Sequence, residues 1–458
     1  RVFHWEKVQE LRSGKYTLWD HSFELPDQHL EAENTIQDSV SVGQVSHKLK
    51  VGGNDQLEIY DYPGEYAQRF DGVDRGGGEQ PSEVEKIFED NARTVGIRMQ
   101  QEAVPSLVVR GSGACPQFVS GHKFTLERHF NADGEYVLTG VEHSANLSGD
   151  YRSGESGTCQ YMNSFVCIPA GIPYRPLITT PKPTIHGTQT AVVVGPSGEE
   201  IFTDKYGRVK VQFRWDRQGT NDGNSSCWVR VATPWAGKQW GAIHIPRIGQ
   251  EVVVAFEEGD PDQPIIVGSV YNAEQMPPYS LPDNKTQSGM KSRSSLEGGP
   301  DDFNELRFED KKGSEDIYFH AQKDFHRVVE NDDDLKVGHD QTITIHNDRT
   351  ETIEEGNDKL TIEKGDREVK IEMGNDSLLI SMGNQTTKLD LGKSETEAMQ
   401  SIELKVGQSS IKVDQTGVTI KGMMVKVEGQ IQTEVKGLMT NVSGDAILQV
   451  KGGLTMIG

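Results

Sequence analysis

The sequence predicts a mainly β protein with a hub domain of β-barrel or α+β type, a small barrel and a C-terminal intertwined triple-stranded β-helix formed by a homotrimer. The prediction rests on two patterns: a glycine-punctuated unit that recurs along the last third, and closely spaced strand-like runs in the middle. The hydrophobic fraction of 34% is low for a globular enzyme but fits an architecture with much surface. The predicted divisions are 1–183, 184–275, a connector over 276–334, and a needle over 335–458.

The first domain shows strand-like runs separated by turns. Residues 123–141 predict a hairpin, because two β-prone runs flank a turn sequence that ends in glycine. Ser82 as N-cap and Glu85 as its capping-box partner predict one helix. The apolar face predicted for this helix consists of Val84, Ile87, Phe88, Ala92 and Val95. A proline-rich run over 172–183 marks the boundary of the domain.

Short strands follow one another closely in the next part of the chain. The predicted strands are 189–194, 209–215, 227–232, 241–245, 251–256 and 265–270. So many short strands punctuated by glycines predict a closed barrel of the OB-fold type. Four tryptophans, Trp215, Trp228, Trp235 and Trp240, lie among acidic residues and tight turns. We therefore favour structural roles for them over a platform for sugars or single strands, which needs a basic groove.

Within the last third, four nine-residue units follow one another, which are 357–365, 366–374, 375–383 and 384–392. The period is eight residues upstream of them, and the downstream glycines at 422, 429, 437, 444 and 452 are seven or eight residues apart. The predicted turn residues are Gly356, Gly365, Gly374, Gly383 and Gly392, because glycine adopts positive φ at little cost. Apolar residues alternate with polar ones before each glycine, which is the period of a strand with one buried face. The predicted needle core consists of Leu360, Ile362, Val369, Ile371, Met373, Leu378, Ile380, Met382, Leu389 and Leu391.

Such units are too short to enclose a core within one chain. A single-chain β-helix needs about 20 or more residues per coil, so eight or nine residues supply one side of a three-sided prism. We therefore predict three identical chains wound together. A calcium-binding nonapeptide roll is disfavoured, because each unit here has one glycine and two or three apolar residues. A coiled coil is excluded by the absence of a heptad.

Composition excludes several classes of partner. The formal net charge of −23 disfavours nucleic acid and anionic membrane surfaces. No apolar run approaches the roughly 20 residues of a membrane-spanning helix. The four cysteines lack the spacing of a zinc site and are too scattered for a disulfide framework, so we expect buried free thiols and folding in the cytosol.

A specific run of motifs extends along the chain. The stretches are 204–213, 228–237, 245–254, Gly259-Asp-Pro-Asp-Gln-Pro264, 268–272, 286–293 and 304–310. Together they resemble the VgrG family, the trimeric spike of bacterial type VI secretion systems. The resemblance implies a phage tail-hub-like domain, an OB-fold barrel and a triple-stranded β-helix. Hub domains in that family begin well before anything similar to Arg1, so it also implies a first domain that is incomplete at its N-terminus.

The resemblance implies a function as well. Members of the family are puncturing spikes that sit on a tube of Hcp-type protein, are tipped by a PAAR-repeat protein, and deliver effectors. We expect a protein that is cytoplasmic before assembly and is then secreted through the type VI apparatus. It would meet the target-cell membrane through mechanical force and bind no nucleic acid. The alternatives are the spike of a contractile phage-like particle and, less favoured, a trimeric β-helix enzyme that cleaves polysaccharide.

No catalytic constellation emerges from the sequence. It has no His-Glu-x-x-His motif, P-loop or Gly-x-Ser-x-Gly elbow, so we predict a non-enzymatic protein without catalytic residues, cofactor or metal. His320 and His326 lie close to acidic residues, but a histidine on a strand face is commoner than a metal ligand. The connector is too short for an inserted catalytic domain. No Trp or Tyr follows Tyr318, so the needle has no such residue to stack on a sugar.

The final residues predict a docking point for a cap. Leu454, Met456 and Ile457 would each occur three times in a trimer. An apolar patch beside open strand edges requires a covering partner. We expect a PAAR-type protein to dock there.

Overall fold

The structure is a computed structural model that describes residues 1–67, 83–148 and 157–456. It divides into two compact units, Arg1–Asp334 and Leu335–Gly458. The first unit contains the hub, the barrel and the connector, and the second contains the nine-residue repeats. No helix among the described residues is both long enough and apolar enough to cross a membrane.

The hub is a β domain with one long helix. Its elements are β1 (Val2–Gln9), β2 (Lys15–Leu18), β3 (Ala32–Thr35), β4 (Ser39–Val42), β5 (Val45–Lys48), β6 (Glu58–Asp61), α1 (Ile87–Ala103), β7 (Leu107–Gly113), β8 (Lys123–Leu126), β9 (Gly134–Ser148) and β10 (Thr158–Pro169). Five strands form an antiparallel sheet in the order β1-β7-β10-β9-β8. In a smaller sheet β2 lies between β3 and β6. The predicted hairpin is confirmed, since β8 and β9 are neighbours in antiparallel register.

Aromatic rings fill the core on the large sheet. The Trp5 ring meets that of Tyr136 edge-on at 4.8 Å between centroids. Phe165 on β10 packs into the same cluster and lies over Gly111 of the neighbouring strand β7. Because glycine has no Cβ, the Phe165 ring can approach the backbone of β7 closely.

Helix α1 packs against β2 and β3. Ile87 and Val95, two members of its predicted apolar face, are buried. The exposed members are Phe88 and Ala92. The prediction is wrong for these two because the buried stripe runs through a polar residue, Asn91, which a purely apolar pattern passes over. The predicted N-cap Ser82 lies outside the described residues.

The barrel follows the predicted strand pattern closely. Its strands, with one small hairpin, are β11 (Gln189–Val194), β12 (Lys210–Phe213), β13 (Arg230–Val231), β14 (Ala236–Gly237), β15 (Trp240–Gly241), β16 (Glu251–Phe256) and β17 (Pro264–Val270). Five of them form a sheet in the order β12-β11-β16-β17-β13. Reciprocal backbone bonds of 3.0 and 2.8 Å between Val209 and Val229 close it into a barrel. The strand predicted over 241–245 is wrong, since β15 ends at Gly241.

The connector forms a three-stranded antiparallel sheet. Its strands are β18 (Gln287–Lys291), β19 (Glu305–Glu309) and β20 (Asp316–His320). The cross-strand register places Met290, Leu306 and Phe319 in one row. Charged residues, among them Lys291 and Glu305, occupy rows on the opposite face. The connector sheet is therefore apolar on one side and polar on the other.

The second unit alternates repeats with one folded sheet. Residues 335–400 contain no strand within the single chain, and the same holds for 422–456. Between them lie β21 (Ser401–Val406), β22 (Ser409–Asp414) and β23 (Gly417–Lys421), which pair in antiparallel order. We call this sheet the needle meander. It was not predicted, and it lies between the nine-residue units, which end at Gly392, and the seven- and eight-residue glycine spacing that begins at Gly422.

A glycine substitution tests the packing of the hub. In Gly111→Ala the new Cβ would lie 2.3 Å from Phe165 Cζ and 3.0 Å from the His4 carbonyl oxygen. Overpacking of this kind costs about 1–3 kcal/mol, so calorimetry should show a lower unfolding temperature for the hub. Gly140→Ala is the matched control in strand β9, where a Cβ meets nothing within 4 Å. Equal unfolding temperatures for the two variants would contradict this packing.

Candidate functional site

The predicted needle core lies on the surface of the single chain. Its ten side chains are between 42% and 95% exposed, and they are Leu360, Ile362, Val369, Ile371, Met373, Leu378, Ile380, Met382, Leu389 and Leu391. Large apolar side chains at such density on a surface mark a site of contact with another chain or with a membrane. The structure thus brings no core together within one chain, and the needle-core assignment stays a prediction.

Charged residues occupy the positions between the apolar ones. Lys370 Nζ lies 2.7 Å from Glu372 Oε1, and Lys388 Nζ lies 2.6 Å from Asp390 Oδ1. Partners two residues apart share a face of an extended chain. These two units therefore have an apolar side and a side that carries both signs of charge. In the unit 375–383 the corresponding positions are Ser377, Leu379 and Ser381.

The five predicted turn glycines share one backbone conformation. Their φ angles are 115° at Gly356 and Gly365, 136° at Gly374, 132° at Gly383 and 118° at Gly392. Residues with a Cβ rarely adopt this region, whereas glycine does so at little cost. The chain consequently bends in the same way once in each unit.

The apolar face of the connector sheet is also exposed. Ile317 and Phe319 on β20 are both more than 60% exposed, and Met290 on β18 is 60% exposed. Contiguous exposed apolar side chains of this kind mark a surface that contacts a partner. The connector sheet therefore presents a second apolar surface, upstream of the repeats in sequence.

The barrel tryptophans divide into two groups. Trp228 is buried, with its ring 4.9 Å from that of Phe202. The exposed ones are Trp215, Trp235 and Trp240. The prediction of structural roles fits Trp228, but the other three do not belong to the barrel core. Trp235 and Trp240 meet edge-on across the small β14–β15 hairpin.

The hub and the barrel meet at Phe23. The guanidinium carbons of Arg208 and Arg230, both from the barrel, lie 5.2 Å from the centre of the Phe23 ring. Tyr206 meets the same ring edge-on at 5.2 Å. Cations stacked on an aromatic face contribute about 0.5–2 kcal/mol each, depending on burial. This hub loop is thereby fastened to the barrel.

Lys182 fastens the same junction from the linker. Its Nζ donates to Glu65 Oε1 at 3.0 Å in the hub and to Asp260 Oδ2 at 2.6 Å in the barrel. Partial burial lowers the pKa of Lys182, but hydrogen bonds to Asp260 and Glu65 outweigh this effect and raise it. Charged Lys182 therefore stabilises the folded state at pH values below the pKa that this lysine has in the unfolded chain. The stabilisation is lost as pH rises through the higher pKa of Lys182 in the folded protein.

The junction encloses a cleft of about 460 Å³. Its lining includes Asp20 and Tyr62 from the hub and Trp228 and Glu257 from the barrel. No group of three or more His, Cys, Asp or Glu side chains among the described residues could hold a metal ion. His320 belongs to the connector sheet, where Nδ1 lies 3.0 Å from the Phe303 carbonyl oxygen.

The predicted cap-docking residues are described only in part. Leu454 and Met456 are both exposed. Ile457 lies outside the described residues. Docking of a cap on this segment stays a prediction.

Three sequence families match successive parts of the chain. Residues 1–149 match the phage tail baseplate hub (GPD), and 199–271 match the type VI secretion system/phage-baseplate injector OB domain. Residues 288–413 match the bacteriophage T4 gp5 C-terminal trimerisation domain. These matches follow the order of the hub, the barrel and the exposed apolar surfaces.

Relatives match across the same span. The spike protein VgrG1b of the type VI secretion system of Pseudomonas aeruginosa is 47% identical over 346 residues, covering 75% of this chain and 42% of the relative. VgrG1a of the same organism is 45% identical over 340 residues, covering 74% of this chain and 48% of the relative. The chain belongs to the VgrG family.

This VgrG chain spans less than half the length of both relatives. A solved Escherichia coli structure is also similar, with 25% sequence identity and a TM-score of 0.29. It covers 39% of this chain and 43% of that one. That protein is described as a component of the type VI secretion system with structural similarity to the T4 bacteriophage tail proteins gp27 and gp5.

The sequence reasoning missed the needle meander of this VgrG chain. A signal was present, because three alternating apolar runs between 401 and 421 are separated by two short glycine turns. The turns contain Gly407 and Gly417, with φ of 54° and 142°. Gly407 and Gly417 do not continue the nine-residue spacing, so a search for that period passes over them.

The turn glycines of the VgrG needle can be tested individually. In the single chain Gly365→Ala places a Cβ in open space at φ 115°, so within the chain the substitution adds backbone strain and no clash. We expect about 1–3 kcal/mol of destabilisation per chain, measured by denaturant unfolding of the assembled protein. Gly338→Ala is the matched control, because a Cβ there also meets nothing and φ is not positive. If both variants unfold alike, the glycines are not required for the turns.

Proposed function

We propose that this chain is a structural, non-enzymatic spike that punctures membranes at the tip of a contractile type VI secretion apparatus. The observation that carries the proposal is the apolar stripe of the repeats, exposed in the single chain and punctuated by equivalent glycine turns. The match of 288–413 to a trimerisation domain supports a trimer. Membership of a family whose relatives are named type VI secretion spike proteins supports the role.

The physical basis is burial of the repeats between copies. Three chains, each supplying one side of a prism, would place the alternating apolar side chains on a common axis. The backbone groups of 335–400, which lack strand pairing within one chain, would then bond between chains about 4.8 Å apart. Bending such a needle would break many of these bonds together, so it would be stiff.

The charged side of the repeats explains why force is needed. Outward ion pairs such as Lys370 with Glu372 keep the needle soluble and discourage association at its edges. Each charge is also costly inside lipid, which opposes spontaneous insertion. A contracting sheath would supply the work of insertion.

The partners are part of the proposal. An Hcp-type tube under the hub, a PAAR-repeat protein at the tip and secreted effectors follow from the family resemblance. Fastening of the hub to the barrel by Phe23 and Lys182 supports transmission of force from a base to the barrel. In this scheme the protein is exported through the apparatus, and it contacts the target membrane only when the contracting sheath pushes it there.

A second candidate is the spike of a contractile phage-like particle. It is favoured by the matches to a phage tail baseplate hub and to the T4 gp5 trimerisation domain. The two candidates share the same physics and differ in the machine that drives the needle. Secretion that depends on type VI sheath genes, rather than on phage induction, would distinguish them.

The oligomeric state gives the first test. Three chains of 50.8 kDa give 3 × 50.8, or about 152 kDa, by light scattering after size exclusion. The mass should hold on dilution, because dissociation would expose the apolar side of every repeat to water. A folded monomer in which the repeats are protected from hydrogen exchange would refute the trimer.

Membrane contact gives the second test. The purified trimer should release little dye from liposomes, because its charged outer face opposes insertion. A pore-forming peptide serves as the positive control in the same vesicles. Leakage comparable to that of the peptide would show that insertion needs no external force.

A further inference from the structure

One face of the needle meander is mostly apolar, with Ser409 opposite Val406 at its end. The register places Ile402, Val413 and Val418 in one row, and Leu404, Ile411 and Ile420 in the next. Six side chains of this face are between 43% and 83% exposed, and they are Leu404, Val406, Ile411, Val413, Val418 and Ile420. The alternate rows of the same strands are polar on the opposite face. An apolar face three strands wide, about 14 Å, thus lies open on the chain.

This sheet is held together by contacts within one chain. Its three strands form a complete antiparallel ladder, unlike the repeats before and after it. In the second turn Asp414 Oδ1 accepts from the Thr416 backbone N–H at 2.9 Å, and Asp414 Oδ2 lies 3.0 Å from Lys412 Nζ. Hydrogen bonds from Thr416 and Lys412 lower the pKa of Asp414. The meander is therefore a sheet formed within one chain, and its exposed apolar face indicates a contact with a partner.

Two observations identify that covering as further copies of the same chain. The match to a trimerisation domain runs to residue 413, so it includes β21 and most of β22. The meander also lies between repeats whose apolar residues are exposed in the same alternating fashion. Apart from Ser409, the apolar face consists of aliphatic side chains, whereas the opposite face carries charges of both signs. Three such sheets facing one axis, with about 10 Å between packed sheets, close a prism.

We propose that three copies of the needle meander pack their apolar faces around one threefold axis and thereby hold the repeat segments in register. This proposal rests on the trimeric needle proposed above. It adds the feature that sets the alignment of the three chains relative to one another. Repeats of nine residues resemble one another, so chains could slip by one unit at little cost. The meander occurs once in each chain. A slip of one unit would leave its apolar face against repeats of a different geometry, exposed to water.

Hydrogen–deuterium exchange with mass spectrometry tests the proposal on the full-length protein. Peptides covering 357–392 report whether the repeats are wound, and light scattering reports the mass. Ile411→Asp places a charge on the apolar face. Thr419→Asp places the same charge on the opposite face of the same sheet, in the row of Lys412. Ile411→Val keeps the apolar character with one methylene fewer.

The expected result is that protection of 357–392 is lost, or splits into two populations, in Ile411→Asp. Thr419→Asp and Ile411→Val should retain protection and the trimer mass. If the native chain is trimeric and protected but Ile411→Asp behaves like Thr419→Asp, the role of the meander is wrong while the needle stands. If the repeats of the native chain are unprotected, the proposed needle itself is wrong.

Discussion

The structure of the last third depends on one constraint, which is that strands this short cannot bury their apolar side within one chain. Side chains such as Ile371 and Leu378 remain exposed although the turns beside them are well defined. Their backbone groups lack ladder partners in the same chain as well. Unpaired backbone and exposed apolar surface are both costly, and a second and third copy remedy both together. Association is thus the condition for this segment to fold.

The hub and the barrel bury their apolar side chains within one chain. Their cores are closed by antiparallel sheets, and residues such as Leu107 and Ile266 are fully buried. The junction between them combines Phe23 with two arginines, and Lys182 with two carboxylates. The chain therefore joins a base whose cores are buried within one chain to a segment whose apolar side chains are exposed in the single chain. This division explains why one sequence contains both ordinary cores and wholly exposed apolar stripes.

Much of this organisation could be predicted from the sequence, because it follows from periodicity. Alternation predicted the barrel strands β11 and β16 over the residues the structure gives them, and glycine spacing located residues of positive φ such as Gly374. Contacts between distant positions could not be predicted. Lys182 and Asp260 are 78 residues apart, and nothing in either local sequence links them. Phe88 was assigned to the buried side of helix α1 but is exposed. The buried stripe of this helix includes the polar residue Asn91, which a search for apolar residues does not find.

The needle meander was missed because it departs from the repeat, and the same departure allows it to align the three chains. A repeat is recognised because its units are alike, and units that are alike cannot specify their own alignment. Whatever aligns three repetitive chains must break the repeat, so it escapes a search for the period. A locally paired sheet suits this task, since hairpins close short loops and cost less entropy than pairing between chains. The sheet can therefore form within each chain before the repeats wind, and it offers the three chains a surface that fits in one alignment.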